Sequence, residues 1–208
     1  MVRLNINDRE VEIENSKTLL EASLGIGIYI PHLCFHPAVG TSRLLKPGKS
    51  IYQRATEIVG SSESVYEGCG LCLVEVHGHD ELCHACTMPV EDGMIVHTDT
   101  ERVKKQIMRN LTRLLRKHPH ACITCDLAEG CDRKLCSMGI PEEARCCWKF
   151  HQCEFRKIAS FIGFEEDGGG GGFQNISWRD DNPLFSMDAD LCVNCLRCVH
   201  ACRDIACR

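Results

Sequence analysis

The sequence predicts an α+β chain in which short strands and helices are arranged around groups of cysteines. Three observations carry this. Residues 2 to 13 alternate apolar and polar side chains about a turn at Asn7-Asp8-Arg9, the period-two signature of a β-hairpin. Residues 100 to 117 set Val103, Ile107, Leu111, Leu114 and Leu115 at helical spacing among Arg and Lys. Finally, 17 cysteines fall among 208 residues, many of them in Cys-x2-Cys pairs.

The cysteines bound the chemistry first. Their number approaches the level of a secreted disulfide scaffold. The chain is long for such a scaffold, its first residues (Met-Val-Arg-Leu-Asn-Ile-Asn-Asp) hold no apolar signal core, and paired cysteines in a reducing compartment point to metal. A cytoplasmic location is therefore expected. No apolar run approaches the roughly 20 residues of a membrane span, and a net charge of −5 gives no reason to expect nucleic acid. Metal binding free energy is also folding free energy, so clusters can replace part of the core of a chain with 6% aromatic residues.

The elements follow in order. Thr18-Leu-Leu-Glu21 reads as a capping box opening a short helix with Leu19, Leu20 and Leu24 apolar, ended by Gly25 and Gly27. Residues 38 to 64 read as irregular and polar, with Pro47-Gly48 and a run of Ser and Glu. The positive charges there (Arg43, Lys46, Lys49, Arg54) fit a solvated loop or a docking loop for an acidic partner. Strands are expected at Leu73–Val76 and Met94–Val96, and a second helix after Cys153 from Phe155, Ile158, Ala159 and Ile162. Five consecutive glycines from Gly168 read as a flexible linker. The domains expected are 1–99, 100–166, a linker at 167–184, and 185–208.

Three cysteine groups carry chemistry. Cys69 and Cys72 lie in a glycine-rich turn, Gly68-Cys-Gly-Leu-Cys, with Cys34 before and Cys86 after, near predicted strand ends. Four thiolates on a small β-grasp-like sheet suit a [2Fe-2S] cluster, as in plant-type ferredoxins with their distant fourth cysteine. His118-x3-Cys122-x2-Cys125 is short enough to wrap one metal cluster. Cys192-x2-Cys195-x2-Cys198-x3-Cys202 is half of a bacterial two-cluster ferredoxin, in which the last cysteine serves the other cluster. Only Cys207 follows before Arg208, so the sequence reads as a fragment of a longer polypeptide.

Ile30-Pro-His-Leu-Cys34-Phe-His-Pro37, Cys69-Gly-Leu-Cys72-Leu-Val-Glu-Val76 and Ala85-Cys86-Thr-Met-Pro-Val-Glu-Asp-Gly-Met94 resemble the N-terminal iron–sulfur region of the large subunit of respiratory complex I. NAD-linked formate dehydrogenase alpha subunits and multimeric iron hydrogenases share that module. The resemblance covers almost the whole chain. One departure is the gap of 34 residues between Cys34 and Cys69, which is much shorter in the family. The Ala-Cys-Thr-x-Pro-Val context marks Cys86 as the ligand and leaves Cys83 a buried free thiol. His-Pro-x-x-Cys-x2-Cys resembles the family's [4Fe-4S] site with one His and three Cys ligands, which assigns His118 over His120. A neutral imidazole there removes a negative charge and raises the potential.

Two fourth ligands are open. Cys131 gives His-x3-Cys-x2-Cys-x5-Cys, the family spacing. Cys153-Glu-Phe-Arg-Lys resembles the Cys-Glu-Leu-Gln helix that follows the family's last ligand. Taking Cys153 makes residues 126 to 152 an insertion whose Cys131, Cys136, Cys146 and Cys147 are enough for an additional [4Fe-4S] cluster, and exposed empty thiols would invite oxidation. The expected complement is one [2Fe-2S] and two or three [4Fe-4S] clusters.

The resemblance implies an electron-transfer subunit of an NAD(P)H-dependent oxidoreductase. Its expected partners are an FMN flavoprotein subunit that binds NAD(P)H and a thioredoxin-like [2Fe-2S] subunit, in a hetero-oligomer. No GxGxxG, P-loop or Ser-His-Asp arrangement marks a substrate site of its own. One alternative is the N-terminal part of a formate dehydrogenase or hydrogenase catalytic subunit. Another, of a different class, is a zinc-binding structural module, since Cys-x2-Cys pairs also bind zinc.

Overall fold

A computed structural model describes residues 1–14, 17–46, 50–53, 56–59, 65–116, 118–123, 125–127, 129–132, 134–141, 145–146, 150–165 and 191–206. The linker expected at 167–184, Cys147 and Cys207 lie outside the described residues. The chain divides into two compact units, one of Met1–Val103 with Cys195–Arg208, the other of Lys104–Asn194.

The first unit opens on the expected hairpin. Strands β1 (Val2–Ile6) and β2 (Arg9–Ile13) pair antiparallel in the register Val2↔Ile13 to Ile6↔Arg9. Asn7 (φ 51) and Asp8 (φ 62) both turn left-handed. That is the geometry of a two-residue hairpin turn, and Asn and Asp tolerate it better than other side chains. Helix α1 (Leu19–Gly25) starts on the expected capping box: Thr18 accepts from the Glu21 N–H, and the Glu21 carboxylate accepts from the Thr18 N–H. Such a cap contributes about 1 kcal/mol.

The described residues between 38 and 64 are more regular than their composition implies. The pair β3 (Phe35–His36) and β4 (Gly40–Thr41) precedes a second hairpin, β5 (Ser50–Gln53) with β6 (Thr56–Val59). Ile51, Tyr52, Thr56, Ile58 and Val59 are β-branched or aromatic, the residue types that strands favour, a local signal masked by the Pro, Gly and Ser around it. β7 (Leu73–Val76) forms as expected. β8 (Cys83–His84) adds a short strand the sequence did not announce, and β9 (Ile95–His97) starts one residue later than expected.

These strands make a mixed five-stranded sheet in the order β2-β1-β9-β7-β8, with β1 and β9 parallel and the other pairs antiparallel. Leu4, Ile6, Val74, Val76 and Val96 point to one face and meet Leu19, Leu20 and Ala22 of α1, all within 4% exposure. Cys72 and Cys86 belong to this same core. Sheet packing and the first cysteine group are therefore one structure.

Helix α2 (Glu101–Leu115) buries Val103, Ile107, Leu111 and Leu115, an every-fourth-residue stripe, while Leu114 is only half-buried. A short 3-10 turn (Phe150–Gln152) leads into α3 (Glu154–Ile162), which buries Phe155, Ile158 and Ala159 and closes on left-handed Gly163. The C-terminal segment forms α4 (Arg197–His200), continued by a π-helical turn, Ala201–Ala206. No described helix is long and apolar enough to cross a membrane.

Candidate metal centres

The structure brings Cys34, Cys69, Cys72 and Cys86 together. Cys34 arrives just before β3, Cys69 and Cys72 just before β7, and Cys86 just after β8. Backbone bonds fix these approaches. The Ala85 N–H donates to the Cys72 carbonyl at 2.8 Å, the Leu20 N–H to Ala85 at 2.9 Å, and the Ser42 N–H to Cys34 at 2.7 Å. All four cysteines are between 1% and 4% exposed. Cys34 Sγ lies 3.6 Å from Cys69 Sγ, and Cys86 touches both Cys34 and Cys72.

Their electrostatics are those of thiols crowded out of water. At Cys69 the neighbouring Cys34 and burial push the thiol well up. At Cys34 the contact with Cys69 lowers the thiol, but the contact with Cys86 and burial outweigh it and the net direction is upward. At Cys86 the Cys34 contact lowers it, while Cys72 and burial raise it to about 12. Backbone N–H groups work the other way: those of Leu71 and Leu33 stabilise the Cys69 thiolate, and that of Cys69 stabilises Cys34. The four cysteines of this group form no disulfide. Four buried thiols, two of them (Cys34 and Cys69) with amide N–H groups at their sulfurs, fit a thiolate-held cluster, whose negative charge those amides offset. Among the described residues no three His, Cys, Asp or Glu side chains gather tightly enough to hold a single metal ion.

The glycines of the turn have a geometric task. Gly68 adopts φ +86, and a Cβ there would lie 3.1–3.3 Å from the Arg43 side chain. Gly68→Ala therefore combines left-handed strain with a contact tight enough that the Arg43 side chain has to give way. It is expected to cost about 1–3 kcal/mol and to lower iron incorporation at the Cys69/Cys72 turn. Thermal unfolding and an iron assay check this, and an unchanged midpoint and iron content would count against it. Cys83 lies in β8, half-buried rather than buried, with its thiol directed at the Glu81 carbonyl 3.6 Å away.

In the second unit His118 is 7% exposed. Its Nδ1 lies 2.9 Å from the Pro119 carbonyl, and its ring packs edge-on against Phe155 at 5.1 Å. Burial lowers its proton affinity. His120 is buried at 2% with Nδ1 2.8 Å from the His118 carbonyl. Cys122 and Cys125 pack against Cys146, a 2% exposed thiol whose own N–H donates to Cys122 Sγ at 3.4 Å. Burial, then the charge of Cys122, pushes Cys146 up to about 12, and Cys153 adds to the rise. Cys153 is the N-cap of α3. Cys131 and Cys136 are half-buried. The backbone N–H of Ile140 leads in lowering Cys136.

In the C-terminal motif Cys192 and Cys195 are half-buried, and Cys198 and Cys202 exposed. The backbone turns left-handed at Asn194 (φ 54) and Leu196 (φ 55), which curls the chain between successive cysteines. Arg203 Nη1 donates to the carbonyl of Lys46 at 2.7 Å, a residue of the stretch read from sequence as a solvated or docking loop. Tyr66 went unnoticed in the sequence. Burial, then the charges of Cys34, Cys69 and Cys195, push its hydroxyl upward. Its position two residues before Gly68 is the one local signal that could have marked it.

Buried clustered thiols on a mixed α+β scaffold are the arrangement an iron–sulfur domain presents. Residues 52–101, which include Cys69, Cys72 and Cys86, match the 2Fe-2S iron-sulfur cluster binding domain family. Over 99% of its length the chain is similar to components of redox complexes. It is 29% identical over 206 residues to an NADH-quinone oxidoreductase subunit of Rickettsia typhi, covering 24% of that subunit. It is 27% identical over 205 residues to the NADH-ubiquinone oxidoreductase 78 kDa subunit of Candida albicans, covering 22%. It is 26% identical over 205 residues to the NADP-reducing hydrogenase subunit HndD of Solidesulfovibrio fructosivorans, covering 28%. The chain thus spans about a quarter of the length of these relatives. A crystal structure of an NAD+-reducing [NiFe]-hydrogenase in the H2-reduced state shares the fold, with a TM-score of 0.63 and 22% identity over 96% of this chain and 65% of that one. The family resemblance read from the sequence holds.

Proposed function

We propose that this chain is an iron–sulfur electron-transfer subunit, or the corresponding part of a longer one, in an NAD(P)H-dependent oxidoreductase complex. The observation that carries the reading is the buried Cys34–Cys69–Cys72–Cys86 group, whose thiols touch one another and in which Cys34 and Cys69 receive backbone N–H groups. It is supported by the match to the 2Fe-2S domain family and by the kind of relatives found. The five-stranded sheet with α1 serves as a β-grasp, ferredoxin-type domain.

A bound [2Fe-2S] cluster supplies one-electron chemistry at this site. The chain does the rest. Cys34, Cys69, Cys72 and Cys86 hold the group as thiolates, releasing their protons on loading. The N–H groups of Leu33, Cys69 and Leu71 offset the negative charge on the sulfurs. Leu71, fully buried, and the sheet core exclude water. The second unit contributes Cys122, Cys125 and Cys153 to a [4Fe-4S] site. His118 is the fourth ligand implied by the resemblance, and Cys131 is the alternative to Cys153. Cys192, Cys195, Cys198 and Cys202 serve a ferredoxin-type [4Fe-4S] cluster. The partners are an FMN flavoprotein subunit that binds NAD(P)H and a thioredoxin-like [2Fe-2S] subunit.

Purifying the native complex without oxygen tests the reading. A brown preparation carrying an FMN- and NAD(P)H-binding subunit is expected, with its iron–sulfur absorbance bleached by NADH or NADPH. A colourless, zinc-loaded protein without a flavin partner would leave the zinc module standing instead.

A further inference from the structure

Building on the iron–sulfur reading above, we propose that Thr41 and Arg43 raise the reduction potential of the cluster held by Cys34, Cys69, Cys72 and Cys86, Thr41 by donating its hydroxyl to Cys86 and Arg43 by laying a cation along the Cys69/Cys72 turn. Neither residue is a ligand. Both belong to the stretch between Cys34 and Cys69 whose length sets this chain apart from the family it resembles. Backbone N–H groups offset charge at Cys34 and Cys69. Cys86 receives a donor from a side chain: the Thr41 hydroxyl bonds its sulfur.

Thr41 is held from both sides. It ends β4 and pairs with Phe35 of β3, the residue after Cys34. The Ser42 N–H donates to the Cys34 carbonyl at 2.7 Å and ties the next residue to the same turn. The Arg43 N–H donates to Thr41 Oγ1 at 3.2 Å. The threonine oxygen thus accepts from Arg43 while its proton is given to Cys86 Sγ. The bonds form one chain, from the Arg43 N–H through the Thr41 hydroxyl to the Cys86 sulfur, in which each polarises the next. The Arg43 side chain follows the other flank of the site. A Cβ on Gly68 would meet its Cβ, Cγ and Nη1 at 3.1–3.3 Å, so stem and guanidinium both lie beside the residue before Cys69. Its charge reaches Tyr66, three residues before Cys69, and His84, two before Cys86. The Leu44 N–H donates to the Tyr66 carbonyl at 2.8 Å and the Tyr66 N–H to the Leu45 carbonyl at 3.0 Å. These bonds hold the residues after Arg43 against the segment that leads to Cys69.

Reduction adds one electron, and so one negative charge, to the group the four thiolates hold. The electron comes from the flavoprotein partner proposed above. No bond to the chain forms or breaks, and Thr41 keeps its proton. A hydrogen bond to a charged sulfur and a cation beside it both favour the more negative state. Burial of the four cysteines keeps water and salt from screening that preference. Both residues therefore act in the same direction, upward.

The test uses the full chain produced without oxygen, with iron counted and the [2Fe-2S] midpoint potential followed through its axial EPR signal. Thr41→Val keeps the shape of the side chain and removes the hydroxyl. It is expected to keep its iron and to shift the reduction equilibrium about tenfold toward the oxidised form, a midpoint about 59 mV lower for a one-electron couple. Thr41→Ser is expected to restore the value. Arg43→Gln is expected to shift the equilibrium several-fold in the same sense, and Arg43→Lys to recover most of it. Proton hyperfine spectroscopy of the reduced protein before and after exchange into D2O is expected to show an exchangeable coupling that Thr41→Val lacks. An unchanged midpoint in Thr41→Val, or a Thr41→Ser that behaves like it, overturns the role of the hydroxyl. An unchanged midpoint in Arg43→Gln overturns that of the cation. If Thr41→Val loses its iron, Thr41→Ala is measured in its place, and iron loss in both makes Thr41 a structural residue and overturns the proposal too. If the unmutated chain shows no [2Fe-2S] signal, the iron–sulfur reading falls first and takes this proposal with it.

Discussion

Replacing Cys72 with serine is expected to abolish the axial EPR signal of the reduced [2Fe-2S] cluster and to remove about two iron per chain. Cys72 is 1% exposed, its carbonyl accepts the Ala85 N–H, and its thiol touches Cys86. No other described thiol is packed to take its place: Cys83 sits in the same region, but its sulfur points to the Glu81 carbonyl. The serine hydroxyl is a harder and far less acidic donor than a thiol, and it would be left in a site built for charge. The same replacement at Cys83 is expected to leave signal and iron intact. An unchanged signal in Cys72→Ser, or a lost one in Cys83→Ser, would remove this cysteine group from the proposal.

Leu20→Ala is expected to destabilise the first unit by about 2–5 kcal/mol, the range for emptying a fully buried leucine site. Leu20 is completely buried among Ile6, Val74 and Val96, and its N–H bonds the Ala85 carbonyl next to Cys86. Its removal opens a cavity beneath the strand that carries the ligand. Urea titration followed through the cluster's visible absorbance reads the loss, because cluster retention and folding are linked there. A loss below about 1 kcal/mol would mean that the site collapses around the smaller side chain, or that α1 does not carry the cysteine loop.

What was legible in the sequence was local. The Asn-Asp turn, the capping box at Thr18, the stripe Val103–Ile107–Leu111–Leu115 and the helix after Cys153 are each written within about four residues. Local backbone preference and amphipathic period suffice for these. The cysteines were legible for the same reason: pairs with two residues between them curl the chain round one object, whatever lies further away. The hairpin Ser50–Val59 was missed although its signal is also local, because turn-forming composition surrounds two strands of only four residues each.

Distance along the chain is what the sequence could not resolve. Only the tertiary arrangement, in which β9 lies parallel beside β1 with β7 on its far side, sets Cys34 against Cys69 and brings Cys86 to Cys34 and Cys72. Spacing likewise offered both Cys131 and Cys153 as partners of Cys122 and Cys125 and could not rank Cys146. The folded chain packs Cys146 on Cys122 and Cys125 because burial and a single amide-to-sulfur bond act through space. Tyr66 beside Cys34, Cys69 and Cys195 is the same lesson at longer range. The sequence by itself determined that thiolate chemistry organises this protein. Which thiols share a neighbourhood was decided by tertiary packing, since burial and electrostatics depend on spatial neighbours and not on chain order.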